Sequence, residues 1–512
     1  MASFLRSLRL QHIMWTFGAY LVVWVGVSIS ILHVLEVDYH SSLSSFLPLS
    51  QSTLAPPHHQ HQPTKKSVDD EFAAFYNFSK CFRQVDYGLV DTITPQVVCD
   101  SSKRGTTITR LPSTNWPDGS LWEQFALDFT GSSPVISPIQ HPSEEGGHHD
   151  PRYILTPTRV HCNCALDAAG YDTLDRFFPS NSTAWHCDAT LGAPSTYTTS
   201  VDTTAILMAR KDDHNPFFQL AAALTAWTLV KQRLGATPTQ LFILDDGVPM
   251  QTDTLLQKLL APHEPVRYGR DVVGTSVYFA HAIFLPFEFA GPLVEHLDDE
   301  QLCLDSQLVV DFRDDVFRAF DLPLNPHPHV HNTTADPSSV CHVTIISRRA
   351  YAGRDIARMW LNEDEIVGLM QAKYPMCTFK SVDFATKTMA EQIALIASSR
   401  VVIGMHGAGM ANVAFAAPNT FVVEIFPLST FRFGYRNLCQ YLGLHYLEFR
   451  DGVDTPWPEQ HKTVLDREWF KRFDLVMKVV LNEDEKATYD GRASVQKRIH
   501  RQHVMDKENS DE

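Results

Sequence analysis

The sequence predicts an α/β fold of two facing Rossmann-like domains, preceded by one apolar N-terminal helix and a flexible stem. Three observations carry this: an uncharged apolar run near the N-terminus, strand and helix patterns alternating from Thr203 to Phe449, and a glycine-punctuated loop between two late strands.

The apolar run, Ile13 to Leu35, holds no formally charged residue. At about 1.5 Å of rise per residue it is long enough for a bilayer core of ~30 Å. Arg6 and Arg9 precede it, and Glu36 and Asp38 follow. The positive-inside rule therefore predicts a cytosolic tail over 1–12, a signal-anchor over 13–35 and a lumenal remainder, which is single-pass type II topology. Residues 36–70 carry serines, prolines and a histidine cluster (His58 to Gln62) with little to bury, and read as the stem.

In a lumenal chain the sequons at Asn77, Asn181 and Asn332 become glycosylation sites. Nine cysteines in an oxidising compartment predict disulfides with one thiol left over. Cys162-Asn-Cys164 lacks a usual zinc-knuckle spacing and is assigned to disulfide chemistry. The net charge is −16, with no long basic block, so nucleic acid is not an expected partner. Residues 483–512 are charged and aperiodic, and read as a tail.

The lumenal part divides into an acceptor-side domain over 71–335 and a nucleotide-sugar-type domain over 336–482. Glu71 to Tyr197 shows only short strand-like pieces. From Thr203 the expected order is strand Ala205–Ala209, helix Pro216–Leu234, strand Leu241–Leu244, helix Thr252–Leu260, strand Val277–Leu285 and helix Asp305–Phe320. Asn325-Pro-His-Pro-His begins a polar linker. Beyond it come strand Val343–Ser347, helix Asn362–Gln371, strand Thr378–Val382 and helix Met389–Ser398. Strand Val401–Ile403, a loop with a short helix from Ala408, strand Phe421–Ile425, helix Tyr435–Tyr441 and strand His445–Phe449 complete the unit.

The loop His406-Gly-Ala-Gly409 follows a buried parallel strand, the edge at which ligands bind in open α/β sheets. Backbone amides of Gly407, Ala408 and Gly409, with a helix N-terminus behind them, suit a diphosphate. Arg348 and Arg349 follow the domain's first strand directly, where guanidinium forks can neutralise phosphate oxygens. His406 can donate to the same group, and Glu424 can hold a ribose from its own strand end. In the first domain Asp245, Asp246 and His214 are base candidates for an acceptor hydroxyl. His281, inside an apolar strand, is expected in the core. No Asp-x-Asp triplet occurs, so no metal-holding carboxylate pair of that kind is predicted.

These residues resemble glycosyltransferase family 61. The segment from His406 through Pro418-Asn419 to Glu424 is similar to the family's hallmark. Ser347-Arg348-Arg349 followed by Arg358-Met-Trp-Leu-Asn362-Glu-Asp-Glu365, Leu241 to Asp245, and Val277 to Ile283 agree with it. The resemblance spans Thr203 to Phe449, and its order and wording are most similar to the plant-type N-glycan β-1,2-xylosyltransferase branch. Met410 and Ala411 depart from the usual leucine and threonine.

The resemblance implies a GT-B fold, a UDP-sugar donor, inversion and no divalent metal. It further implies a donor site of Arg348, Arg349, His406, Gly407, Ala408, Gly409, Asn412 and Glu424. The expected activity is xylose transfer to the core mannose of N-glycans at the Golgi membrane, since no KDEL-type tetrapeptide closes the chain. The alternatives are a protein O-linked N-acetylglucosaminyltransferase of the endoplasmic reticulum and, from another class, a non-catalytic membrane-anchored glycan-binding protein.

Overall fold

The computed structural model describes residues 78–481, apart from 101–104, 114–118, 133–154, 156, 164–186, 190, 211–214, 246–248, 286–290, 300, 302, 325–340, 350–355 and 457–458. The expected tail, anchor and stem (1–70), the charged tail 483–512, the linker and all three sequons lie outside the described residues. So do His214 and Asp246. Among the described residues no helix is long and apolar enough to cross a membrane.

The N-terminal half opens with α1 (Phe78–Val85) and α2 (Tyr87–Asp91), then β1 (Gln96–Asp100), β2 (Thr107–Leu111), β3 (Gly119–Asp128), β4 (Arg159–His161) and β5 (Cys187–Ala189). It continues with β6 (Thr199–Met208), α3 (Pro216–Trp227), β7 (Gln240–Ile243), α4 (Gln251–Leu260), β8 (Arg267–Tyr268), α5 (Gly269–Val272), β9 (Ser276–Phe284) and α6 (Gln307–Ala319). Asn215 caps α3, accepting from the Phe217 amide at 3.1 Å, with Pro216 in the first turn, where its missing N–H costs nothing. The helix runs on as a π-helical turn, Thr228–Arg233.

Strands β9, β6, β7 and β8 lie side by side and parallel, which in chain order is the 3-2-1-4 arrangement of a Rossmann half. Antiparallel β3, β2 and β1 extend the sheet beyond β9. The N-terminal sheet is thus mixed rather than purely Rossmann-like. Its antiparallel part comes from the segment before Thr203, where polar-interrupted strands show little periodicity.

The C-terminal half comprises β10 (His342–Ser347), α7 (Glu363–Lys373), β11 (Thr378–Asp383), α8 (Met389–Ala397) and β12 (Val401–Met405). A 3-10 helix (Ala408–Phe415) follows, then β13 (Phe421–Ile425), α9 (Gly434–Tyr441), β14 (His445–Phe449), the short pair β15 (Val453–Asp454) and β16 (Lys462–Thr463), and α10 (Asp466–Leu481). The five long strands are all parallel, in the order β11-β10-β12-β13-β14, which is 2-1-3-4-5 by chain order. Strand order reverses between β10 and β12, and there a doubly wound sheet opens its ligand crevice.

Alternation along each strand divides the apolar residues between two faces. Val401, Ile403, Val423 and Ile425 pack under α7 and α10 against Ile366, Met370, Trp469 and Phe473. Val402 and Val422 join a larger cluster with Leu220, Leu224 and Trp227 of α3, Leu256 of α4, Phe312 of α6, Ile393 of α8 and Leu438 of α9. That cluster also takes Ile206, Leu241 and Ile283 from the N-terminal sheet. One shared apolar layer therefore lies between the two sheets. Backbone bonds from Asp305 and Ser306 to the carbonyls of Gln440 and Tyr441 (3.0 and 2.8 Å) tie the halves further.

Disulfides join Cys81 to Cys303 and Cys341 to Cys377, Cys99 and Cys162 are also disulfide-bonded, and Cys439 is a buried free thiol. The expectation of disulfides plus a leftover thiol fits this pattern. Among the described residues no group of His, Cys, Asp or Glu is placed to hold a metal. His281 departs from expectation. Strand alternation breaks where Gln124 of β3 takes φ 50° and where the β6 register shifts between Val201 and Thr204. His281 lies opposite Glu123 at that break, and its half-exposed ring sits 3.6 Å from the Glu123 carboxylate instead of in the core.

Candidate functional site

The carboxyl ends of β10, β12 and β13 converge at the switch point, because Ile346, Gly404 and Glu424 are in register across the three strands. Two residues further along stand Arg348 after β10, His406 after β12 and Phe426 after β13. The His406 amide donates to Ile425 O at 2.8 Å, which holds the start of the loop against β13.

The loop's glycines make room for side chains. A Cβ on Gly407 would lie 1.8 Å from Arg348 Nη1, so the guanidinium occupies the space a side chain would take. A Cβ on Gly404 would meet Met410 Sδ at 2.5 Å. Arg348 Nη2 donates to Ala357 O at 3.3 Å, which anchors the side chain from the far side. Asn412 is buried and donates to Gly409 O at 3.1 Å, so it braces the loop from within the 3-10 helix. Ala408 and Gly409 begin that helix.

His406 is held on three sides. Its Nδ1 lies 2.5 Å from Glu424 Oε1, its ring stacks on Phe426 with centroids 4.7 Å apart, and Tyr435 of α9 lies at 5.7 Å. The other Glu424 oxygen, Oε2, accepts from the Tyr446 hydroxyl at 2.7 Å. Glu424 has no exposed surface, and both its oxygens are engaged inside the domain. Its strand-end position suggested a ribose role; in the structure its two oxygens face His406 and Tyr446.

Arg349 also falls elsewhere. Its Nη2 donates to Glu363 Oε1 (3.4 Å) and Asp364 Oδ1 (3.1 Å) in the first turn of α7, away from the loop. Glu363 accepts from Ser347 Oγ at 3.1 Å as well, so this acidic turn organises the end of β10. The second cation near the loop is Arg358. Its backbone is in the left-handed region (φ 63°), with its amide on Glu459 O at 3.1 Å. Burial pulls its guanidinium below the usual value, while the charges of Tyr435 and Glu424 act against that shift. Tyr435 is pushed up, first by burial and then by Glu424, with Arg348 and Arg358 pulling it down.

Sequence reading missed Arg358, Tyr435 and Tyr446. Arg358 stands beside an acidic run that offers it a nearer partner in sequence, and the two tyrosines read as ordinary core positions. A non-glycine residue with positive φ carries no reliable sequence signal.

Asp245 lies two residues beyond the end of β7 in the other sheet and is fully buried against Arg210. The Arg210 Nη2 to Asp245 Oδ1 distance is 2.6 Å, Nε to Oδ2 is 3.1 Å, and the Arg210 amide donates to Oδ2 at 2.8 Å. Arg210 Nη1 also reaches Asp253 Oδ2 at 3.2 Å, and Tyr268 donates to the same oxygen at 3.0 Å. This bidentate, solvent-free geometry is that of a structural ion pair. It removes Asp245 from the chemistry of an incoming hydroxyl.

Residues 228–423 match the family model described as Glycosyltransferase 61. A β-1,2-xylosyltransferase of Arabidopsis thaliana is 24% identical over 212 residues, covering 35% of this chain and 40% of that protein's length. Among solved structures, the E. coli heptosyltransferase WaaC with ADP covers 53% of this chain and 98% of its own, at 9% identity and a TM-score of 0.23. A likeness at that score carries no argument. The family and relative matches bear out the resemblance to glycosyltransferase family 61, in its xylosyltransferase-like part.

Proposed function

We propose that the protein is an inverting glycosyltransferase with a GT-B arrangement of two α/β halves, taking a UDP-sugar as donor and transferring xylose in β-1,2 linkage to the core mannose of N-glycans. The observation that carries this reading is the Arg348 guanidinium seated on Gly407, beside His406, at the switch point of the 2-1-3-4-5 sheet. A cation preorganised at a strand-end crevice can stabilise a departing diphosphate without reorganising during reaction. Arg358 adds a second, partly buried cation to the same cluster, in place of Arg349.

In the proposed reaction the acceptor hydroxyl attacks the anomeric carbon as the bond to UDP breaks, and the hydroxyl proton leaves to a base. Negative charge growing on the β-phosphate is met by Arg348, Arg358 and the loop amides of Gly407, Ala408 and Gly409. Supplying that charge from the protein makes a divalent ion dispensable. EDTA is therefore expected to leave transfer unchanged, and loss of activity restored by manganese would overturn the metal-free mechanism. The type II Golgi-membrane placement belongs to this reading, and the disulfides are consistent with a lumenal domain.

A donor screen decides the sugar. UDP-xylose and UDP-N-acetylglucosamine are offered with a mannose-terminated N-glycan acceptor, and transfer from UDP-xylose is expected. Transfer from UDP-N-acetylglucosamine alone points to the protein O-linked activity. Absence of any UDP binding points to a non-catalytic glycan-binding protein.

A further inference from the structure

We infer that Glu424 and Tyr446 are positioning residues that act through His406, and that neither touches the donor. The inference rests on the UDP-sugar reading above and assigns the work inside that site. Glu424 Oε1 sits 2.5 Å from His406 Nδ1 and Oε2 sits 2.7 Å from the Tyr446 hydroxyl. An ionised carboxylate only accepts hydrogen bonds, so this contact requires a proton on Nδ1. The tautomer follows from the partner. Nε2 is then the ring atom left for a ligand, and it makes no hydrogen bond among the described residues.

The supporting shell is rigid. Glu424 is on a strand hydrogen-bonded on both sides, with Gly404 and Glu448 opposite it. Tyr446 lies two residues before Glu448, on the same face of the sheet as Glu424. Burial first, and then the Glu424 charge, push the Tyr446 hydroxyl far up, so it remains a donor to the carboxylate. Phe426 supports one face of the imidazole. Around the pair stand Arg348 from the end of β10, Arg358 from the loop before α7, and Tyr435 and Cys439 from α9.

A glutamine at 424 offers one acceptor oxygen and one donor nitrogen where the carboxylate offers two acceptors. It can keep Nδ1–H only by turning its amide nitrogen to the Tyr446 hydroxyl, which must then accept instead of donate, and the carboxylate charge behind the imidazole is lost. Fine misplacement of a reacting group costs on the order of 10²-fold in rate. Glu424→Gln is therefore expected to lower kcat by about 10²-fold, with the KM for the donor little changed. Tyr446→Phe, which removes one oxygen, is expected to lower kcat about fivefold, and Glu424→Asp to recover part of the Gln loss.

The test uses full-length wild type and variants, with calorimetric affinities for UDP and 2′-deoxy-UDP beside kcat and KM for the donor. Support is a kcat loss in Glu424→Gln and Tyr446→Phe with the UDP to 2′-deoxy-UDP ratio unchanged. Collapse of that ratio in Glu424→Gln would return the carboxylate to the ribose and overturn the inference. Unchanged kcat in Tyr446→Phe would overturn it too, and that variant gives the answer if Glu424→Gln does not fold. Wild-type protein that binds no UDP would overturn the donor reading itself, and the inference with it, before any variant is compared.

Discussion

The carboxyl edges of the two sheets carry similar residues and treat them differently. In the N-terminal half, Arg210, Asp245, Asp253 and Tyr268 cluster beyond β6, β7 and β8 and close on one another with no solvent-exposed surface on the Arg210 and Asp245 side chains. In the C-terminal half, Arg348 remains partly exposed, seated against Gly407, and His406 keeps a margin of exposed surface. A strand end delivers a charged side chain to a sheet's edge, but pairing decides its use. A buried, mutually satisfied ion pair holds structure together, while a partly exposed cation seated against a glycine at a strand-end crevice stands where a ligand can reach it.

Breaking the closed cluster has the largest expected effect. Asp245→Ala leaves Arg210 buried without its main counter-charge and is expected to cost about 3–5 kcal/mol in urea unfolding. The folded fraction should keep its kcat. Unaltered stability with lost turnover would restore Asp245 as the base and dissolve the contrast.

Breaking the open cluster should do the reverse. Arg348→Ala is expected to lower kcat by about 10²–10³-fold, with a far smaller change in stability than Asp245→Ala. Full transfer by this variant would remove the leaving-group site from the C-terminal edge. Gly407→Ala sharpens the point without touching a charge, since its methyl would enter the place of Arg348 Nη1. A tenfold or larger drop in turnover is expected, on the order of what a 1 Å displacement costs. Normal activity would mean that Arg348 has another working position.

The smallest effect concerns a surface pair used as a control. Asp474 is held below the usual carboxylate value by Lys373, then by Tyr374. A carboxyl group depressed in the folded state stabilises above its unfolded value near ~3.9 and loses that contribution as pH falls through the lower folded value. Asp474→Asn is expected to cost under about 1 kcal/mol at neutral pH, with the difference fading below about pH 4. Denaturant midpoints at several pH values check it, and a cost that grew toward acid would reverse the sign.

Sequence patterns located the C-terminal sheet closely: strands Phe421–Ile425 and His445–Phe449 stand where expected, and α8 ends one residue earlier than expected. Continuous apolar runs between glycines and polar caps are strong local signals, and a capping box at Thr388 and Glu391 marks the start of α8. The antiparallel strands β1 to β3 were not legible, because their pairing joins distant, weakly patterned segments whose register no local preference specifies.

By itself, then, the sequence determined the alternating elements, the position of the His406 loop at a strand's carboxyl end and the likeness to a transferase family. These follow from local periodicity and from residue types at fixed spacing. Only the tertiary structure decided partners: Arg349 with the acidic turn of α7, Arg358 with Tyr435 and Glu424, Asp245 with Arg210, and Glu424 with His406 and Tyr446. For Asp245 and Glu424 the choice depends on which charged groups meet out of water, where an unpaired charge is costly. That meeting is a property of the packed chain, not of any one segment.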